Sequence, residues 1–252
     1  MGETIVFTSG KGGVGKTTTI ANIGAGLSQL DKKVVMLDTD MGLRNLDVVM
    51  GLEDQINYNL LDLLENRCRI NQALIRDKRF PNLYMIPASL KNIPLENFEQ
   101  AFLVLLNHLK KEFDYCLIDC PAGIDQGFRF ATSVADRAII LTTPHISAIK
   151  DAGRVLQLLN GTKIPRVELI LNEYDEKLVR KKYMLSKKDV EELFDIPILG
   201  TIPHDTKVMI SQNKGIPVVM MRSKATRQFL YLSEQMITEN SLEEEECIYD
   251  IS

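Results

Sequence analysis

Long apolar runs are missing from this sequence: no stretch is long enough to cross a bilayer as a helix, so an integral helical membrane protein is not expected. Cysteine is scarce and poorly spaced for chemistry. Its four copies, Cys68, Cys116, Cys120 and Cys247, match neither metal-ligand nor disulfide-scaffold spacing. Cys116 and Cys120 fall in a buried-strand pattern, which predicts packing thiols. Positive charge is not in excess either. The 30 Lys and Arg stand against 34 Asp and Glu, a net charge of −4, which speaks against broad nucleic-acid binding. There is no internal repeat, low-complexity linker or signal-peptide pattern, and a cytoplasmic location is expected. What is present is an ordinary globular composition, 45% apolar and 25% charged over 252 residues, enough to bury a sizeable core.

Apolar runs of strand length alternate with helical patterns. Strands are predicted at Thr4–Thr8, Lys33–Leu37, Leu83–Pro87, Tyr115–Asp119, Arg137–Thr142, Val167–Leu171 and Ile198–Thr201. Most are continuous Val/Ile/Leu-rich runs, the mark of strands covered on both faces. Helices are predicted at Thr17–Leu30, Leu95–Lys111, Ile146–Asn160, Ser186–Phe194 and Ser223–Ile237, with Ser186 and Ser223 as N-caps. This alternation predicts an α/β fold, a doubly wound, mostly parallel sheet with helices on both faces, binding ligands at the strands' carboxyl ends.

The first of those ends carries Gly10-Lys11-Gly12-Gly13-Val14-Gly15-Lys16-Thr17-Thr18, between a strand pattern and a helix pattern. Glycines there let backbone N–H groups turn onto phosphate oxygens, and the following helix points its positive end at the same anion. Strand, loop, Lys-Thr and helix in this order predict a nucleoside triphosphate site: Lys16 on the β- and γ-phosphates, the Thr17 hydroxyl on Mg²⁺. Asp38-Thr39-Asp40-Met41-Gly42-Leu43-Arg44-Asn45-Leu46-Asp47 follows the second strand and puts three carboxylates where Mg²⁺ and an attacking water are handled. By itself that stretch reads better as a polar loop with an Asp N-cap. Tyr115–Asp119 is a hydrophobic strand ending in a carboxylate suited to hold Mg²⁺ through its water shell. Asn172, at another strand end, offers a donor and an acceptor to an adenine edge, or is turn chemistry alone.

With its second lysine, Lys11, the loop resembles the deviant Walker A loop of the MinD/ParA ATPases, and the resemblance runs from residue 2 to about 237. Gly42–Asp47 and Pro121-Ala122-Gly123-Ile124 are similar to the two switch segments of the MinD branch. The resemblance implies an ATPase using ATP and Mg²⁺, with Lys11 reaching across a nucleotide-sandwich homodimer. It further implies that Asp40 orients the hydrolytic water, that Asp38 and Asp119 support Mg²⁺, and that Asn172, Pro203 and Asp205 surround the base. The Ile146–Asp151 helix resembles the surface on which that branch binds MinC and MinE, and so implies a role in placing the division septum. Some positions depart from the family pattern: Asp125 stands in place of Glu, Glu173 in place of Arg, and His145, Lys150 and Gly153 replace Glu, Arg and Asp. A flagellar-number regulator of the FlhG kind, a ParA-like partitioning ATPase and a nucleotide-binding adaptor that does not hydrolyse are the alternatives. Intact Lys11, Lys16, Asp40 and Asp119 weigh against the last.

The resemblance stops at the end. An ATPase domain over residues 1–238 is expected to give way to an acidic tail, 239–252, predicted disordered. Relatives finish in a basic amphipathic helix that inserts in membrane. Here Glu243-Glu244-Glu245-Glu246 repels anionic lipid, so direct membrane binding is not supported by these residues.

Overall fold

The structure, a computed structural model, describes residues 1–91, 93 and 96–249, with the backbone alone for Glu96 and for 239–249. In chain order the first elements are β1 (Glu3–Thr8), α1 (Lys16–Gln29), β2 (Val34–Asp38), α2 (Leu46–Met50), α3 (Leu60–Leu64) and α4 (Ile70–Ala73). Then come β3 (Ile75–Arg76), β4 (Leu83–Ile86), α5 (Glu99–Glu112), β5 (Tyr115–Asp119), α6 (Gln126–Thr132), β6 (Arg137–Thr142) and α7 (Ile146–Leu159). The chain continues through β7 (Arg166–Tyr174), α8 (Glu176–Arg180), α9 (Lys187–Phe194), β8 (Ile198–Pro203), α10 (Thr206–Gln212) and α11 (Lys224–Tyr249).

The eight strands form one sheet in the order β3-β4-β2-β5-β1-β6-β7-β8. Every neighbouring pair is parallel except β3 with β4, a two-residue antiparallel edge. Alternation along each strand splits the core in two. Val6, Val35, Ile118 and Ile140 face α3, α5, α6, α7 and α9, whereas Ile5, Met36, Leu117 and Ile139 face α1, α2 and α11. Phe229 of α11 is completely buried on the second face, worth about 1.5–3 kcal/mol in apolar transfer. Both faces are covered, which is why the strands read as unbroken apolar runs.

Helix boundaries follow local chemistry. Ser186 caps α9 in a reciprocal pair: it accepts from Asp189 N (3.1 Å), and its own N–H donates to Asp189 Oδ2 (2.8 Å). Ser223 accepts from Thr226 N (2.9 Å) at the start of α11. Helix α5 starts at Glu99 rather than at Leu95, which lies outside the described residues. The backbone of α11 runs to Tyr249, so helix extends into the acidic run that was expected to be a disordered tail; Glu and Leu are good helix formers. Asp250, Ile251 and Ser252 lie outside the described residues. Among the described residues no helix is long and apolar enough to cross a membrane.

The direction in which strands are added to the sheet reverses around β1. Its connection leads through α1 to β2 on one side, while β5 is followed by β6 on the other, so the loop after β1 opens over a crevice at the strands' carboxyl ends.

Candidate nucleotide site

The loop of residues 10–15 leaves β1 and enters α1 through Gly15, whose φ of +91° is a left-handed conformation. A Cβ at Gly15 would also lie 2.3 Å from Asn172 Nδ2, so glycine is required both for the turn and for the neighbour. Helix α1 has no side-chain cap, leaving its first-turn N–H groups without a side-chain acceptor at the positive end of the helix. That is the arrangement a phosphate needs.

Three strand ends surround this turn. Lys16 Nζ lies 3.1 Å from Asp119 Oδ1 in a buried ion pair. Burial pulls the Lys16 pKa down, but the Asp119 charge and hydrogen bond, with smaller help from Cys120 and Asp40, together leave it raised. Asp38 and Asp119 are register partners on adjacent strands. Asp38 accepts from the N–H groups of Asp40 (2.9 Å), Asn45 (3.1 Å) and Leu46 (3.1 Å), which ties the loop after β2 to its own strand. Burial, and then the Asp119 charge, push its pKa up to about 7. Asp40 is half-buried, its pKa raised by burial and restrained by Lys16. Thr39 donates its hydroxyl to Asp119 O (2.7 Å), and Gly123, at φ +96°, donates its N–H to Ser9 O (3.1 Å). The loops after β1, β2 and β5 are therefore joined to one another.

No group of three or more His, Cys, Asp or Glu among the described residues could cage a metal ion. The donors fit Mg²⁺ nonetheless. Magnesium keeps water and takes substrate phosphate oxygens, needing only one or two carboxylates and a hydroxyl. Thr17 stands at the start of α1, Asp38 and Asp119 are paired across β2 and β5, and Lys16 is the cation beside Asp119 and Asp40.

Beside the loop lies a cavity of about 340 Å³, lined among others by Gly13, Thr18, Asn172, Glu173, Pro203 and Asp205. Asn172 donates from Nδ2 to Val14 O (2.8 Å), so the amide expected at the base also holds the phosphate loop. Asp205 accepts from Lys207 N (3.0 Å), Lys224 N (3.0 Å) and Ala225 N (3.2 Å), capping both α10 and α11. Burial would raise the Asp205 pKa, yet these N–H donors leave it lowered. Thr18 Oγ1 is engaged by Gln212 of α10. Glu173, at the cavity wall, has φ +55°, a left-handed conformation rare outside glycine.

The other expected residues stand apart. Lys11 is exposed, its backbone O accepting from Ser9 Oγ (3.0 Å). Gly10 touches α7 directly: a Cβ there would lie 2.4 Å from Asp151 O. His145, Ser147 and Lys150 are exposed on the first turns of α7, with Ile146 80% exposed between them, so the surface read as a partner site is open in the monomer. Cys116 and Cys120 are buried, and burial pushes each thiol up to about 12, as packing thiols should be.

A doubly wound sheet whose first loop feeds a lysine to a carboxylate at a neighbouring strand end defines a phosphate-loop nucleotide hydrolase. A family model described as an AAA domain matches residues 2–169. The septum site-determining protein MinD of Synechocystis is 48% identical over 220 residues, covering 87% of this chain and 83% of the relative. In the MinC:MinD cell division protein complex of Aquifex aeolicus, a solved chain superposes with a TM-score of 0.86 at 39% identity, covering 94% of this chain and 96% of its own. The septum site-determining protein MinD of Pyrococcus horikoshii, complexed with Mg-ADP, gives 0.84 at 30% identity, covering 94% and 96%. This chain belongs to the MinD family.

Proposed function

We propose that this chain is an ATP-hydrolysing switch that dimerises when it binds ATP and helps place the division septum through partner proteins of the MinC and MinE type. The buried Lys16–Asp119 pair, set between an uncapped helix start and the loop after β2, is the observation that carries the reading. A lysine held by a carboxylate before substrate arrives can exchange that partner for phosphate oxygens. Lys16 then faces the β- and γ-phosphates, while the N–H groups of Gly12 to Thr18 wrap the rest. When bound, Mg²⁺ neutralises charge that builds on those oxygens; Thr17, Asp38 and Asp119 would hold it, the carboxylates through water. Asp40 accepts a hydrogen bond from the attacking water and orients it in line with the γ-phosphate.

Lys11 acts differently. Exposed on the loop, it reaches phosphates of a second copy, so that ATP joins two subunits and ADP does not. The γ-phosphate thereby shifts a monomer–dimer population, and hydrolysis shifts it back. The dimer presents the Ile146–Asp151 surface to its partners, and Gly10 lies against that helix. Residues 1–238 form the ATPase unit and 239–252 an acidic extension. The chain works in the cytoplasm, where ATP is supplied, and reaches the inner face of the membrane only when another protein or a different surface recruits it.

Sedimentation with ATP and Mg²⁺ tests the reading. Lys16→Ala is expected to lose nucleotide binding, whereas Lys11→Ala keeps binding but stays monomeric. A Lys11→Ala protein that dimerises like wild type removes Lys11 from the cross-dimer role.

A further inference from the structure

The loop between β3 and β4 is far in sequence from every residue assigned above, yet one of its side chains joins the helix after the Asp38–Asp47 loop to the segment after α10. Arg79 donates from Nε to Asp77 Oδ1 (2.9 Å) and from Nη2 to Asp77 Oδ2 (2.6 Å), a bidentate pair in which the Asp77 side chain is 2% exposed. The same guanidinium donates from Nη1 to Gly215 O (2.9 Å) and from Nη2 to Met50 O. Met50 is the last residue of α2, the helix that follows the Asp38–Asp47 loop. Gly215 follows α10, whose Val208, Met209 and Gln212 line the nucleotide cavity.

The joint beneath Arg79 is backbone against backbone. Gly51 and Gly215 have φ of +62° and +60°, and a Cβ on Gly51 would lie 2.5 Å from Gly215 O. Neither glycine brings a side chain to this contact, and the Arg79 guanidinium bridges the carbonyls on its two sides. A lysine could not replace the guanidinium there, because an ammonium lacks the planar fork that serves a carboxylate and two carbonyls together. Helix α2 is five residues long, with no side-chain cap, and too short to be stable apart from its contacts. Asp38 holds its start through the N–H groups of Asn45 and Leu46, and Leu46 and Met50 are buried in the second core face, which leaves the placement of its last turn to the joint with Gly215.

We propose that Arg79 is a positioning residue: by tying the end of α2 to the segment after α10, it fixes the Asp38–Asp47 loop, and Asp40 within it, relative to the bound nucleotide. This rests on the ATPase reading above and adds a residue to it. Arg79 lies outside the cavity lining, so its effect belongs to the placement of Asp40 rather than to nucleotide affinity.

Arg79→Lys is the informative variant, since it leaves a cation beside buried Asp77 while removing the fork; Arg79→Ala also strands that carboxylate and is expected to lower the melting temperature. Hydrogen exchange with ADP and Mg²⁺, melting temperature and steady-state hydrolysis are read together. In wild type, ADP is expected to protect amides of both residues 10–18 and residues 46–52. In Arg79→Lys, protection of 10–18 and ADP affinity are expected to stay within about twofold, protection of 46–52 to be lost, and kcat to fall about 10- to 100-fold, as for a misplacement on the order of 1 Å. Wild-type kcat and wild-type protection of 46–52 in Arg79→Lys would overturn the proposal. So would losses that merely follow the melting temperature through both variants. Failure of ADP to protect 10–18 in wild type would instead overturn the nucleotide reading, and this inference with it.

Discussion

Asn172 can be removed in a way that separates loop support from base recognition. Its amide nitrogen donates to Val14 O over 2.8 Å, from a half-buried position at the end of the central β7 run. A neutral hydrogen bond of this kind is worth about 1 kcal/mol net, so Asn172→Ala should loosen the loop and weaken ligand affinity about fivefold. In a chain of 252 residues the same loss should lower the melting temperature by about 2–4 °C. Asn172→Asp is the sharper change. It replaces the donor with a second acceptor facing the Val14 carbonyl, and a repelled, unsatisfied pair costs about 1–3 kcal/mol, or roughly 5- to 150-fold in affinity. The assay is competition by ADP and by inorganic triphosphate against a fluorescent nucleotide. Acting through the loop, Asn172 should affect both competitors by the same factor, with the order wild type, Ala, Asp. Weakening of ADP alone would mean that the amide reads the base directly, and an Asp variant equal to wild type would refute the loop-support argument altogether.

Other expectations follow from the same geometry. Asp40→Ala should hold an ATP-bound dimer with hydrolysis lost, because the phosphate loop and Asp119 remain; undiminished phosphate release would remove Asp40 from the mechanism. Asp205→Ala should destabilise by about 0.5–2 kcal/mol for each of the two helices it caps. Since N–H donors hold that carboxylate's pKa below its usual value, despite burial pulling it upward, the stabilisation is present in full above about pH 4. It is lost as pH falls through the lowered folded-state pKa, so melting curves of wild type and variant should converge in acid and stay separated at pH 7. The 252-residue chain should remain in the supernatant with anionic vesicles and ATP; pelleting that ADP reverses would reveal a lipid-binding surface elsewhere.

The parallel strands were legible because burial on both faces leaves a plain apolar signature, and Tyr115–Asp119 and Arg137–Thr142 match the expected bounds residue for residue. Strand β3 left no such mark: two residues carry no period, and Ile75–Arg76 is a strand only because β4 lies beside it. Helices α2, α3, α4, α6, α8 and α10 run four to seven residues, under two turns, too short for a 3.6-residue pattern to stand out. In the site, the phosphate loop and both strand-end carboxylates could be read because they are contiguous with strands. Neither the double capping by Asp205 nor the Gln212–Thr18 contact could be read, since each joins segments that meet only after folding.

The two margins of the sheet carry a consequence for encounters between copies of the chain. At one margin β3 exposes only two residues of backbone. At the other, β8 ends in Pro203 and breaks register with β7 at two points. Interrupted, short margins give an incoming chain little ladder to extend. Copies that meet, as the proposed function requires, can therefore do so without seeding a growing stack of strands.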